Sequence, residues 1–434
     1  MNPTRRHALL TATFPGALAA CGVQTGPSQS GAPLSQETAT LTFLGRGSVT
    51  NQQSFEELAK RFTQEIAPKV TVQYTHESGN FEEKWQVLAT GGTPADAGFG
   101  TVANYKVHVA RGTAAFLDEL AKRDKQFREA DYDPYWLEAL RYKSRLAGLP
   151  WDPGMVVLMF NRGIFAKEGL KLPDPNTPMT WEDTVEMAKR LTKESAQLDQ
   201  VGIEVWWDRM WWQTPRQMGL PDVYKGDEHV LKLDSPIAID ALQWLADLRT
   251  KLKASRPVAY SGPATGFATG KLAMNAGGAW DAANLRRDMQ DDWDWAPLPQ
   301  FKGKQRVAMG QASPFILGAA SKAKDQAWQL IRFMAGPVGH EIAMEKGTAQ
   351  PMLKASRNSP TYTKQRPPHA HGVVVEEAKY GVPPPYGPTY TDVQALVTKI
   401  MTPVYRGEQT ARQAITAAAG EMKQLMEESK ARFP

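Results

Sequence analysis

Thirteen tryptophans in 434 residues are the first feature with chemical content, because an indole offers a wide apolar face and one N–H donor. Trp280 and Asp281 follow the run Gly277-Gly278-Ala279, and Trp151 and Asp152 stand between Pro150 and Pro153. Trp206, Trp207, Trp211 and Trp212 crowd one segment, while Tyr386 and Tyr390 lie in a proline-rich loop ahead of a C-terminal helix. Arg46 and Ser48 close the first β-type run, and Asp96 sits at the end of a later turn. Broad rings beside short polar chains suit non-covalent recognition of a ligand with apolar faces and a hydroxyl rim, the surface a sugar presents. Each residue also has a plainer reading. These are core packing for Trp280, a wedge between two bodies for Trp151, a helix-face cluster for the four grouped tryptophans and a stiff surface loop for the tyrosines. For Arg46 and Ser48 the plainer reading is a solvated turn, and for Asp96 a helix cap.

Covalent chemistry finds no footing. Gly266 to Leu272 resembles a phosphate loop only superficially, with three residues between the glycines where four are needed and Leu272 where a metal-binding Ser or Thr belongs. No Gly-x-Ser-x-Gly elbow, His-Glu-x-x-His pair or cysteine nucleophile is present. His369 and His371 lack nearby carboxylates in sequence and read as a surface loop, so no metal, cofactor or catalytic residue is expected.

The N-terminus reads as an address. Arg5 and Arg6 precede the uncharged stretch Ala8 to Ala20, which is too short to span a bilayer and ends in Leu18-Ala19-Ala20-Cys21. Cys21 is the only cysteine, so no disulfide is available to it within the chain. Residues 1–20 are expected to be a signal peptide, exported by the Sec or the twin-arginine route. Residues 21–39, rich in Gly, Ser, Gln, Pro and Thr, have too little apolar surface to offset the entropy of ordering and are expected to be a flexible tether. The formal charge of +5 loses Arg5 and Arg6 with the signal, and the remaining basic residues alternate with acidic ones along most helical stretches. That pattern excludes a segregated basic face for nucleic acid.

About 390 residues then remain, enough for two domains. Short β-runs at Thr40 to Leu44 and Val70 to Tyr74 alternate with helical periodicity from Ser54 and over Phe81 to Leu88, the mark of a parallel sheet with crossovers. In such sheets ligands sit at the carboxyl ends of the strands, which directs attention to Arg46, Ser48 and Asp96. Further along, Met155 to Phe160 and Phe315 to Leu317 read as strands. Thr180 to Leu191, Pro236 to Leu252, Gly266 to Leu272, Asp325 to Met334, Asp392 to Val404 and Thr410 to Lys430 read as helices.

Five segments, in order, resemble the extracellular solute-binding proteins of ABC importers, in particular the carbohydrate-binding group that includes maltose-type binders. They are ESGNFEEKWQVLATGGTPADAGFG, the stretch from Gly148 through PWDPGMVVLMFNRGIF to TWEDTVEMAKRLTK, GFATGKLAMNAGGAWD, PLPQFKGKQRVAMGQASPFILGAASKAKDQAWQLIRFMAG and GEQTARQAITAAAGEMKQLM. The Leu-Ala-Ala-Cys string resembles a lipobox, which implies lipidation of Cys21. Two departures stand out. Pro94-Ala95-Asp96-Ala97 is one residue longer than the family turn, and WWDRMWW is not a family hallmark.

The resemblance implies an α/β, two-lobed periplasmic-binding-protein-like (type II) fold with a hinge and a central ligand cleft. Lobe 1 is expected over 40–151 with 300–336 and lobe 2 over 152–299 with 337–434, with crossings near Trp151, Pro299 and Met334 to Pro337. It also implies a monomer, anchored through Cys21, that binds a carbohydrate and serves membrane permease subunits, and it places Trp280 where the family stacks on sugar. The alternatives are a non-sugar solute, such as a glycerol phosphodiester, polyamine or iron complex, and a surface polysaccharide-degrading enzyme.

Overall fold

The computed structural model describes residues 33–193, 200–205, 207–256 and 266–434. Its strands are β1 (Ala39–Arg46), β2 (Val70–Glu77), β3 (Ala97–Phe99), β4 (Arg141–Tyr142), β5 (Arg145–Leu146), β6 (Leu149–Pro150) and β7 (Gly154–Asn161). They continue with β8 (Val201–Val205), β9 (Tyr224–Lys225), β10 (Val230–Leu231), β11 (Leu272–Gly278), β12 (Trp293–Ala296), β13 (Gly310–Gln311) and β14 (Pro314–Leu317). The signal peptide, Cys21, most of the tether and Trp206 lie outside the described residues, as does the side chain of Trp207.

Two five-stranded sheets organise the chain. The first runs β2-β1-β3-β14-β6, with β1 parallel to β2 and β3 and with β14 antiparallel to β3 and β6. The second runs β12-β7-β11-β8, and β13 adds to β7. Every residue of β7 is buried, as its unbroken apolar run Met-Val-Val-Leu-Met-Phe requires of a strand covered on both faces. The helix Trp181–Leu191 packs on β8 and β11 of the same sheet. It is started by Thr180, whose Oγ1 accepts from the Asp183 N–H at 3.0 Å, and it buries Trp181, Val185, Ala188 and Leu191.

The sheets are joined by neighbouring antiparallel crossings. Going out, the chain leaves the first sheet at Pro150 and enters the second at Gly154. Coming back, it leaves the second at Gln311 and re-enters the first at Pro314. The return therefore falls at Ala312-Ser313 and not near Pro299. Phe301 is still held by the ring of Trp244 at 4.9 Å, and Met309 belongs to the same core. The helix Pro337–Glu345 packs on the helices Lys324–Ala335 and Val49–Arg61, and Lys346 reaches Glu57 at 3.6 Å. Gln350 then donates its backbone N–H to Pro153 at 3.0 Å, placing a third segment against the outgoing crossing.

Three further expectations are corrected. The stretch Gly266 to Leu272 is a short turn, Phe267–Thr269, leading into β11, because the apolar run that follows is enclosed between β7 and β8 instead of presenting one helical face. The last helical stretch is two helices, Ala411–Ala417 and Ala419–Arg432. Residues 33–38, which composition assigns to the tether, run along the helix Lys324–Ala335. Ser35 N–H donates to Asp325 at 2.9 Å, and Gln329 Nε2 donates to the Ser35 carbonyl at 2.9 Å. Polar composition there serves hydrogen bonds, not disorder.

Candidate functional site

The carboxyl end of β1 delivers Arg46 to the space beside the crossings. Its guanidinium lies 4.4 Å from the Phe99 ring centroid and Nη2 donates to the Gly100 carbonyl at 2.7 Å. Nε is buried without a hydrogen-bond partner among the described residues. Burial lowers the Arg46 pKa, while Asp152 and Glu82 favour its charge. Asp152 sits on the outgoing crossing and accepts the Ser313 N–H of the returning crossing at 2.6 Å. Burial pushes its carboxyl up to about 6, opposed by Arg46 and by that hydrogen bond. Both groups are densely surrounded by protein yet keep part of their surface open to water.

Glu82 stands in the first turn of the helix Phe81–Thr90, accepts from the Thr101 hydroxyl just beyond β3 and contacts His108 Nε2. Asp152 and Glu82 thus lie within electrostatic reach of Arg46 at the carboxyl end of β1.

On the second sheet, Trp280 follows β11 and is partly exposed. Its ring lies over Gly154 and Gly278: a Cβ on Gly154 would come 2.6 Å from Trp280 Cε3. Glycine at 154 is therefore the space the indole occupies. Asp281 is solvent-accessible, yet its carboxyl is raised above the usual range by the protein around it. Gln311 pairs with Gly154 in the β13–β7 register and accepts from Tyr386 Oη at 2.9 Å. Trp280 thus rests on the outgoing crossing two residues along from Asp152, and Asp281 adjoins it in the chain. Outside the crossings, Thr391 Oγ1 donates to Asn104 Oδ1 at 2.6 Å, so the two halves also touch directly.

The remaining sequence candidates are placed elsewhere. Trp151 is fully buried against Phe55 and Phe315, with ring centroids 5.2 and 5.3 Å away, and is a core wedge. Ser48 caps the helix Val49–Arg61, its hydroxyl donating to Asn51 Oδ1 at 2.8 Å. Asp96 precedes β3, at the amino end of that strand. It accepts from the Thr42 N–H at 2.8 Å and from the Ser321 hydroxyl at 2.6 Å, which is structural service at the end opposite Arg46.

Trp211 and Trp212 are both buried, although adjacent, because the helix Trp207–Met218 is enclosed around most of its circumference from Met210 to Gln217. The Trp211 indole N–H donates to Gln394 at 2.7 Å, so this ring is core and does not reach a rim. Tyr386 and Tyr390 are buried against one another at 4.6 Å and lie about equally far from the Arg209 guanidinium, at 5.8 and 5.7 Å. Tyr386 donates to Gln311 and Tyr390 to Gln394, so both hydroxyls are engaged within the protein.

Sequence reasoning missed Glu82, Thr101, Gln311 and Ser313. Glu82 had the look of an ordinary first-turn acid, and the other three acquire meaning only from strand pairing.

Comparison with known proteins follows the same geometry. The family described as bacterial extracellular solute-binding protein matches residues 46–341. The ABC substrate-binding protein of Listeria monocytogenes in complex with cycloalternan is 21% identical and superposes with a TM-score of 0.78 over 90% of this chain and 100% of that one. The cyclic alpha-maltosyl-1,6-maltose binding protein of Arthrobacter globiformis is 17% identical, with a TM-score of 0.75 over 90% and 100% of the two chains. The maltose/maltodextrin-binding domain of Bdellovibrio bacteriovorus bound to maltotriose is 18% identical, with a TM-score of 0.71 over 89% and 100%. These likenesses establish the two-lobed fold with its sheets joined by crossings.

Proposed function

Because the chain belongs to the bacterial extracellular solute-binding proteins, we propose that it captures a sugar or oligosaccharide between its lobes and delivers it to the permease of an ABC importer. The observation that carries this reading is the partly open Trp280 ring, seated on Gly154 beside the Arg46–Asp152 pair. An indole face takes the apolar side of a pyranose, and a neighbouring carboxylate and guanidinium take its hydroxyls as acceptor and donor. Neighbours of the same fold hold cycloalternan and maltotriose. The protein binds and releases its ligand unchanged, with closure favoured because the ligand touches both walls. It works as a monomer outside the cytoplasmic membrane. Export through the signal peptide and a lipid on Cys21 keep it there.

Thermal-shift screening of the exported chain against mono- and oligosaccharides, polyamines and glycerol phosphates tests the reading. A ligand at a hundredfold excess over its Kd stabilises the folded state by about 3 kcal/mol. The expected result is a shift with one sugar class and no product formed. Shifts confined to phosphate esters or polyamines would refute the sugar reading, and turnover would refute the non-catalytic one.

A pH dependence follows from Asp152. Burial pushes its carboxyl up to about 6, so the charge that strengthens its acceptance of ligand hydroxyls is lost as pH falls through that value. By calorimetry, affinity should be flat above about pH 7 and weaken below 6, approaching about tenfold per pH unit. In Asp152→Asn that dependence should vanish. An unchanged affinity at pH 5 would remove Asp152 from direct contact.

A further inference from the structure

Gln350 is almost completely buried, at 2% exposure, in the segment that follows the helix Pro337–Glu345. Its Nε2 donates to the Ala279 carbonyl at 3.0 Å and its Oε1 accepts from the Tyr362 hydroxyl at 2.5 Å. Its backbone N–H donates to Pro153 at 3.0 Å. Those partners belong to three separate pieces of chain. Pro153 is the residue before Gly154 on the outgoing crossing, Ala279 is the residue before Trp280, and Tyr362 lies in the short helix Pro360–Thr363. Tyr362 is itself buried, with its ring 4.8 Å from His371.

The neighbours Ala279, Ala349, Met352 and Tyr362 belong to one apolar cluster. An amide placed there without partners costs about 1–3 kcal/mol, a penalty that a methionine of similar length avoids. The amide is therefore informative for what it bonds. The Ala279 carbonyl already accepts the Ala282 N–H that closes its turn, and Gln350 occupies its second lone pair. Trp280 closes the loop from the other side by resting on Gly154.

Resting on the sugar-capture reading of Trp280, we propose that Gln350 is a positioning residue. It ties the Trp280 turn to the outgoing crossing, so that the stacking ring and the hinge strand move as one unit. A hinge rotation that displaces Pro153 then carries the Ala279 carbonyl with it, and the indole stays on its glycine floor while the lobes open and close.

Hydrogen exchange on the full chain, free of ligand, tests the tie without depending on any sugar. In Gln350→Met, which keeps the backbone bond to Pro153 and loses the side-chain bond to Ala279, amides of 277–282 should exchange at least fivefold faster, while those of β1 and β12 keep their rates. Unchanged rates at 277–282, or an acceleration spread evenly over the molecule, would overturn the proposal, since the latter is the mark of general destabilisation. Tyr362→Phe removes only the hydroxyl that orients the amide and serves if Gln350→Met does not fold. It should speed exchange at 277–282 about twofold or more, and no local change would again be fatal. The binding of Trp280→Ala reads the sugar assignment separately, so either claim can fail while the other stands.

Discussion

Trp280→Ala should raise the dissociation constant for the sugar at least tenfold while leaving the fold intact. Stacking is worth about 0.5–1.5 kcal/mol beyond the area it buries, and burial of an aromatic face adds about as much or more. The sum passes the 1.4 kcal/mol that corresponds to one factor of ten. The ring is partly exposed, rests on Gly154 and Gly278 and packs against the margin of the second core, so truncation costs some stability without unfolding the chain. Calorimetric titration and circular dichroism separate the two effects. Equal affinity would take Trp280 out of the site, and collapse of the melting temperature would return it to the core.

Asp152→Asn should weaken binding at least tenfold and, in the ligand-free protein at pH 7.5, leave stability unchanged or raised by about 1–2 kcal/mol. The sign follows from the carboxyl's folded value of about 6, above the ordinary value of 3.8. Above pH 6 the folded protein holds this carboxylate against its preference, and the strain is relieved as pH falls from 6 towards 3.8, where the folded state binds the extra proton. Asparagine makes that relief permanent and can keep the acceptor for the Ser313 N–H. Arg46 retains Glu82, the Gly100 carbonyl and the Phe99 ring, so its charge is not abandoned. A site that binds better charged but folds better neutral is the expected trade between function and stability. Denaturant titration of both proteins reads this directly. A loss of stability together with undiminished binding would make Asp152 a structural residue.

The alternation of β-runs with helical periodicity was enough to place β1, β2, β7 and the helix Trp181–Leu191 within a residue or two or three at each end. Thr180 is legible because a cap needs only its own hydroxyl and the next turn. The position of Arg46 at the carboxyl end of a parallel strand is legible because the β-run of β1 ends there. Asp96 misleads because the strand begins after it, not before. Trp151, Trp211, Tyr386 and Tyr390 mislead for a different reason. Large aromatics near a crossing are equally suited to lining a cleft and to wedging the core behind it, and only burial tells which. Gln311, Ser313 and Gln350 carry no local signal at all. Their roles arise from antiparallel pairing of crossings far apart in the chain, which no spacing within either one encodes.

The most direct test of the central claim is a crystal structure of the protein with the oligosaccharide that gives the largest thermal shift. The account predicts a sugar ring stacked on Trp280, with hydroxyls within hydrogen-bond distance of Asp152 and Arg46 and the two lobes closed around it. A sugar seated on an outer face, away from the crossings and from Trp280, would contradict it.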